Sequence, residues 1–208
     1  MVAPWTNPLR KRRTIAMCAI PGQKTFETPS DFALWLSLNH DKASELWVKI
    51  YKAASQKKSI VWEEAVIEAL CWGWIDGIKK SLDDEAYLQR FTPRKKGSLW
   101  SKKNKEHVER LMREQRMQEP GLQTVREAQA NGRWETAYAP MSEMIIPEDF
   151  LRALETIPDG KSAFEAFSRQ QKYQIYIGLQ TAKTVKTREK RKNTFLKSIA
   201  ETAGNLSS

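Results

Sequence analysis

The run Glu45-Leu46-Trp47-Val48-Lys49-Ile50-Tyr51 narrows the fold more than any other segment. Leu46, Val48 and Ile50 alternate with Trp47, Lys49 and Tyr51, the period-2 pattern of a strand with one apolar and one mixed face. Further on, Ile78-Lys79-Lys80-Ser81-Leu82 and Tyr87-Leu88-Gln89-Arg90-Phe91 flank Asp83-Asp84-Glu85, which reads as strand, turn, strand. Aspartate bonds its own backbone in such turns, and Pro93 ends the second strand. Strands this short and few are stable only when helices cover one face. The expectation is an α+β protein: predominantly helical, with a small antiparallel sheet of about three strands and a C-terminal helical region.

The helices announce themselves by their ends. Thr28-Pro29-Ser30-Asp31 supplies an N-cap, a proline at the first helical position and an acid near the positive end of the dipole. Phe32, Trp35 and Leu36 then recur at helical spacing, up to about Asn39-His40. Trp62, Val66, Ala69 and Leu70 mark a second helix that Gly73 closes. Ser98 or Ser101 caps a third, carrying Val108, Leu111, Met112 and Gln115. Pro120 opens a fourth that Asn131-Gly132 ends, and Pro147-Glu148-Asp149 opens one running through Leu154. Two or three more cover residues 162–202. The chain divides on this reading into a basic N-terminal extension (1–24), an α+β core with a Trp-rich segment (25–139) and a basic helical region packed on it (140–208). At 208 residues it buries a core without covalent staples.

With 35 Lys and Arg against 25 Asp and Glu, the formal charge is +10. The cations concentrate: residues 90–116 hold ten against three Glu, and residues 183–197 hold seven against one. Such stripes attract phosphates of nucleic acid or lipid, but no nucleic-acid motif accompanies them, so no specific nucleic-acid partner is expected. The only cysteines, Cys18 and Cys71, suggest a reducing, cytoplasmic compartment. With His40 and His107 they form no zinc spacing, so neither metal nor cofactor is expected. Arg10-Lys11-Arg12-Arg13 precedes a weakly apolar stretch of about seven residues, short for a signal peptide. No run approaches the roughly 18 apolar residues of a membrane span.

Few residues carry chemistry by pattern. Gly160-Lys161-Ser162 resembles the end of a phosphate loop, but Glu155 stands where its first glycine belongs, so a helix start is the better reading. Cys71, in an apolar run, reads as a buried, inert thiol. Asp76 is more promising because it follows Trp72-Gly73-Trp74-Ile75. A hairpin turning at Asp83 brings Asp76 near the end of the strand holding Arg90, with Arg94 and the helix start at Trp100 following. Trp74, Asp76, Arg90, Arg94, Trp100 and Asn104 are therefore expected to line one aromatic, cationic pocket for an anionic group. The competing expectation is a structural Asp–Arg pair closing the sheet end.

At these residues the chain resembles the YdeI/OmpD-associated, or bacteriocin-protection, family. The resembling stretches are Phe26-Glu27-Thr28-Pro29, the segment from Asn39 to Trp47, and Glu68-Ala69-Leu70-Cys71-Trp72-Gly73-Trp74-Ile75-Asp76-Gly77. Arg90-Phe91-Thr92-Pro93-Arg94-Lys95, Leu99-Trp100-Ser101 and Asn104 continue it, then Ala182-Lys183, Thr187-Arg188 and Arg191. The likeness spans roughly residues 25–200; Tyr176-Ile177-Gly178 departs from it where a Trp-containing segment is expected. The resemblance implies a non-enzymatic stress protein of antimicrobial-peptide tolerance, linked to an outer-membrane porin or envelope component, and carries no catalytic residue. Two other readings stand beside it: an uncharacterised enzyme or ligand-binding domain for an anionic small molecule, and a nonspecific nucleic-acid accessory protein.

Overall fold

The computed structural model describes residues 22–206, and their side chains through Gly204. Cys18 and the basic run at residues 10–13 lie outside the described residues. Strand β1 (Gln23–Lys24) leads into helix α1 (Pro29–Asn39) and strand β2 (Leu46–Tyr51). The cap of α1 is reciprocal: the Asp31 amide donates to Thr28 Oγ1 (3.2 Å) and the Thr28 amide to Asp31 Oδ2 (3.1 Å). Helix α2 (Trp62–Cys71) stops at Gly73, whose φ of 72° is the left-handed conformation that turns the chain into β3 (Trp74–Ser81). Between β3 and β4 (Ala86–Pro93) lies the acidic turn. There Asp83 Oδ1 accepts from the amides of Glu85 (2.8 Å) and Ala86 (2.7 Å), which holds its carboxyl below the usual range.

The sheet is a four-stranded α+β sheet in the order β1-β2-β4-β3, which corrects the expected three antiparallel strands. The fourth strand is β1, parallel to β2, and it lies inside the segment assigned to the extension. Two polar residues paired only through their backbone leave no alternation to read in the sequence. The register sorts the remaining strands into two faces. Leu46, Val48 and Ile50 oppose Phe91, Gln89 and Tyr87, and Asp76 opposes Phe91, all on one face. Trp47 opposes Arg90, and Lys80 opposes Leu88, on the other.

Helices cover the first face. Helix α3 (Lys102–Arg113) starts at Ser101, whose Oγ accepts from the Asn104 amide (3.1 Å). It ends before Gln115, which has φ of 56° and lies beyond the helix. Helix α4 (Glu119–Ala130) approaches the end of α2 so closely that a Cβ at Gly121 would meet the Cys71 and Leu70 carbonyl oxygens. Phe32, Leu36, Val48, Leu70, Trp74 and Phe91 lie at the centre of this cluster.

A second apolar cluster gathers Phe150, Leu154, Phe164, Ile175, Leu179 and Ile199. It is built from α5 (Glu148–Leu154), α6 (Gly160–Ala166), α7 (Arg169–Gln180) and α8 (Val185–Leu206). Arg188 of α8 clamps Asp149 of α5 with two bonds of 2.6 and 2.7 Å. The start of α6 is a tight turn at Asp159, with Gly160 pressed on Ile157 and Leu154, and not a phosphate loop. No described helix is long and apolar enough to cross a membrane.

Candidate functional site

Arg94 follows the last residue of β4, and its amide donates to the Gly73 carbonyl (2.8 Å), extending the ladder past Pro93. From there its guanidinium stacks on Trp100, 3.6 Å from the ring centroid, and Nη1 donates to the Leu99 carbonyl (3.1 Å). Nε and Nη2 are sealed from solvent and have no partner among the described residues. Two buried donors of a cation left unsatisfied are unusual in a folded protein, since each forfeits its hydration. Burial pushes the guanidinium down to about 10, against the opposing charges of Tyr138 and Asp76.

Those two groups complete the arrangement. Asp76 is half-buried and accepts from the Trp62 indole at 3.3 Å. Burial raises its carboxyl, while the Trp62 bond, its own amide and Arg94 pull it down. No ion pair joins Asp76 to Arg94. Tyr138 is carried in by backbone: its amide donates to the Trp100 carbonyl (3.0 Å), and its carbonyl accepts from the Lys102 amide (2.9 Å). Its phenol is raised by burial first and by Asp76 second. Arg94 feels the charges of both Asp76 and Tyr138, which makes this the candidate site of the chain.

The six anticipated residues therefore part company. Arg94, Trp100 and Asp76 belong to this cluster. Trp74 does not: it is 1% exposed in the core, edge-on to Trp35 at 5.7 Å, and donates to the His40 carbonyl (3.2 Å). Arg90 lies on the other sheet face, where Nε and Nη2 bond Glu45 Oε2 at 2.8 and 2.5 Å. It was expected beside Asp76, but Asp76 opposes Phe91, and the neighbouring residue must point the other way. Asn104 sits in the first turn of α3, where its amide serves the cap. Trp62 and Tyr138 were missed. An extra residue of β3 at Gly77–Ile78, a bulge between the Asp76 and Lys79 pairings, lies beside Asp76 and helps shape this edge.

Three spaces adjoin these residues. One of about 10 Å³ beside Arg94, Ser98, Trp100 and Thr124 has room for a single water. A cavity of about 330 Å³ is lined by Trp62, Asp76, Lys79, Tyr87 and Gln89. Another, of about 440 Å³, is lined by Ser44, Glu45, Arg90, Thr92, Arg94 and Lys95, three cations against one acid. Of the six residues expected to line one pocket, only Arg90 and Arg94 share this cavity. Cys71 is buried, and burial pushes its thiol up to about 11, outside the range of a nucleophile. Among the described residues, no three His, Cys, Asp or Glu gather as a metal site.

Residues 143–202 match the family described as Bacteriocin-protection, YdeI or OmpD-Associated. Residues 24–124 match a different model, a domain of unknown function (DUF8412). The likeness to the bacteriocin-protection family is therefore carried by the C-terminal helices, while the stretches from Phe26 to Asn104 fall in the other match. Tyr138 lies in neither. No curated protein and no solved structure matches the chain.

Proposed function

We propose that the protein is a non-enzymatic, antimicrobial-peptide tolerance protein that works by binding an anionic group at Arg94. The observation that carries the reading is the pair of buried, unpartnered donors on a guanidinium held flat against Trp100. Such a fork suits a carboxylate or phosphate bidentately. Both nitrogens are sealed in this structure, so the anion reaches them from the 440 Å³ cavity that Arg94 lines with Lys95, Arg90, Ser44 and Thr92 only as that seal opens. The tolerance role rests on the match of residues 143–202, and a porin or envelope partner rests only on the family resemblance. A cytoplasmic site of action accords with the free, buried Cys71.

Titration with inorganic phosphate and with acetate tests the binding step. At least one should give saturable heat with the native protein and none with Arg94→Met. In the host, a strain lacking the protein should regain peptide tolerance with the native chain but not with that variant. Neither anion binding, or full tolerance restored by Arg94→Met, refutes the reading.

A further inference from the structure

The sheet face turned away from the helices carries a second pattern. Register places Trp47, Lys49 and Tyr51 of β2, Arg90 and Thr92 of β4, and Lys80 of β3 on it. Trp47 and Leu88 of this face belong to neither apolar cluster. Cations sit on its rings: Lys80 Nζ lies 4.7 Å from the Trp47 centroid, and Lys49 and Lys57 Nζ lie 4.8 and 5.7 Å from Tyr51. The face runs on into the 440 Å³ cavity with its Arg90, Arg94 and Lys95. At about 3.4 Å per residue, the six residues of β2 give it a length of ~20 Å.

We propose that this face binds single-stranded nucleic acid without sequence preference. Phosphates take Lys49 and Lys80, and bases stack on Tyr51. Trp47 and Leu88 are buried, 5% and 2% exposed, so the base takes half-buried Tyr51, replacing Lys49 on its ring as that lysine moves to a phosphate. Neutralisation and stacking then occur in one step. A duplex is the poorer ligand, because its bases are already stacked and this face projects no helix into a groove. An anionic membrane would use the lysines but not the rings. The proposal uses the lysines and Tyr51 of this face and neither Arg94 nor its cavity, so either reading can fail without the other.

Fluorescence anisotropy of a labelled decathymidylate tests it across a salt series. The native protein should bind with an affinity that falls as salt rises. Lys49→Gln with Lys80→Gln should weaken binding at least fivefold and flatten the slope of log K against log salt by about 1.4, near 0.7 for each lost phosphate contact. Tyr51→Ala should weaken it about tenfold. Lys186→Gln with Lys190→Gln, on exposed α8, should stay within twofold of the native chain. Circular dichroism melts establish that each variant is folded, and if one is not, the remaining sheet-face variant decides. The proposal is overturned if the sheet-face variants bind within twofold of native. It is equally overturned if the same sequence as a duplex binds as tightly, or if phosphatidylglycerol vesicles displace the oligonucleotide as well as unlabelled strand does.

Discussion

Replacing Arg94 with methionine sets the two readings of that residue against each other. Holding the guanidinium near 10 instead of 12.5 penalises its charged form by roughly 3 kcal/mol, at 1.36 kcal/mol per unit. Methionine removes that penalty. It also removes a charge-assisted bond to the Leu99 carbonyl, about 1.5–3 kcal/mol, and a desolvated stack on Trp100 of about 2 kcal/mol. A thioether against the same indole returns about 0.3–1.5 kcal/mol. The terms largely offset, so the variant should lose no more than about 2 kcal/mol. In a chain this long that moves the thermal midpoint by no more than about 4–8 °C, read by circular dichroism. Anion binding should vanish at the same time. A fall of more than about 8 °C would mean that Arg94 is a structural staple, its free nitrogens satisfied by trapped water, and the binding argument would collapse.

Other consequences are quicker to check. Asp149 is drawn to about 2 by Arg188, first through their hydrogen bonds; because the pair is about one-third exposed, its contribution should be only about 1 kcal/mol. A carboxylate whose folded value lies below its unfolded value stabilises above about pH 4. Urea titrations should therefore separate native protein from Asp149→Asn at pH 7 and bring them together as the pH falls through 2, and coincidence at pH 7 would refute the clamp. Gly121→Ala should destabilise at or beyond the upper end of ~1–3 kcal/mol, since its Cβ would press on the Leu70 carbonyl oxygen at 2.8 Å; an unchanged melt would contradict the close α2–α4 approach. In a Cys18→Ser background, Cys71 should react with a thiol reagent at least a hundredfold more slowly when folded than in denaturant, and equal rates would show that it is not buried.

What the sequence made legible was local. Thr28 and Asp31 cap each other, Gly73 stops α2 and Asp83 bonds its own turn, because each signal needs only residues within three or four positions. Strand β1 was illegible for the opposite reason: Gln23 and Lys24 have no apolar partner pattern and are held by the backbone of β2. The site was legible by half. Arg94, Trp100 and Asp76 follow from hairpin geometry, but placing Arg90 with them required the register. That register is fixed by the pairing of Asp76 with Phe91 and altered by the bulge after it. Tyr138 has no local signal at all, since a bridge to Ser101, 37 positions earlier, brings it in.

Tyr138 also connects the two matched segments, bridging to Ser101 in the first and meeting α7 in the second. Its ring meets Tyr173 of α7 edge-on at 6.4 Å, and Tyr173 stacks on Tyr176 at 6.0 Å. Both tyrosines of α7 grip Ala139: Tyr173 donates to its carbonyl (2.9 Å), and Tyr176 accepts from its amide (3.1 Å). The helices of residues 143–202 thus fasten the residue next to Tyr138, and with it the hydroxyl nearest in charge to Arg94. Burial and the neighbouring phenols push Tyr173 up to about 12, so it remains a neutral donor at physiological pH and the grip does not titrate. The α+β layer supplies the cation and the carboxylate; the helical segment supplies the support that holds the third group. The anion site proposed at Arg94 would thus draw its cations from the first segment and its bracing from the second.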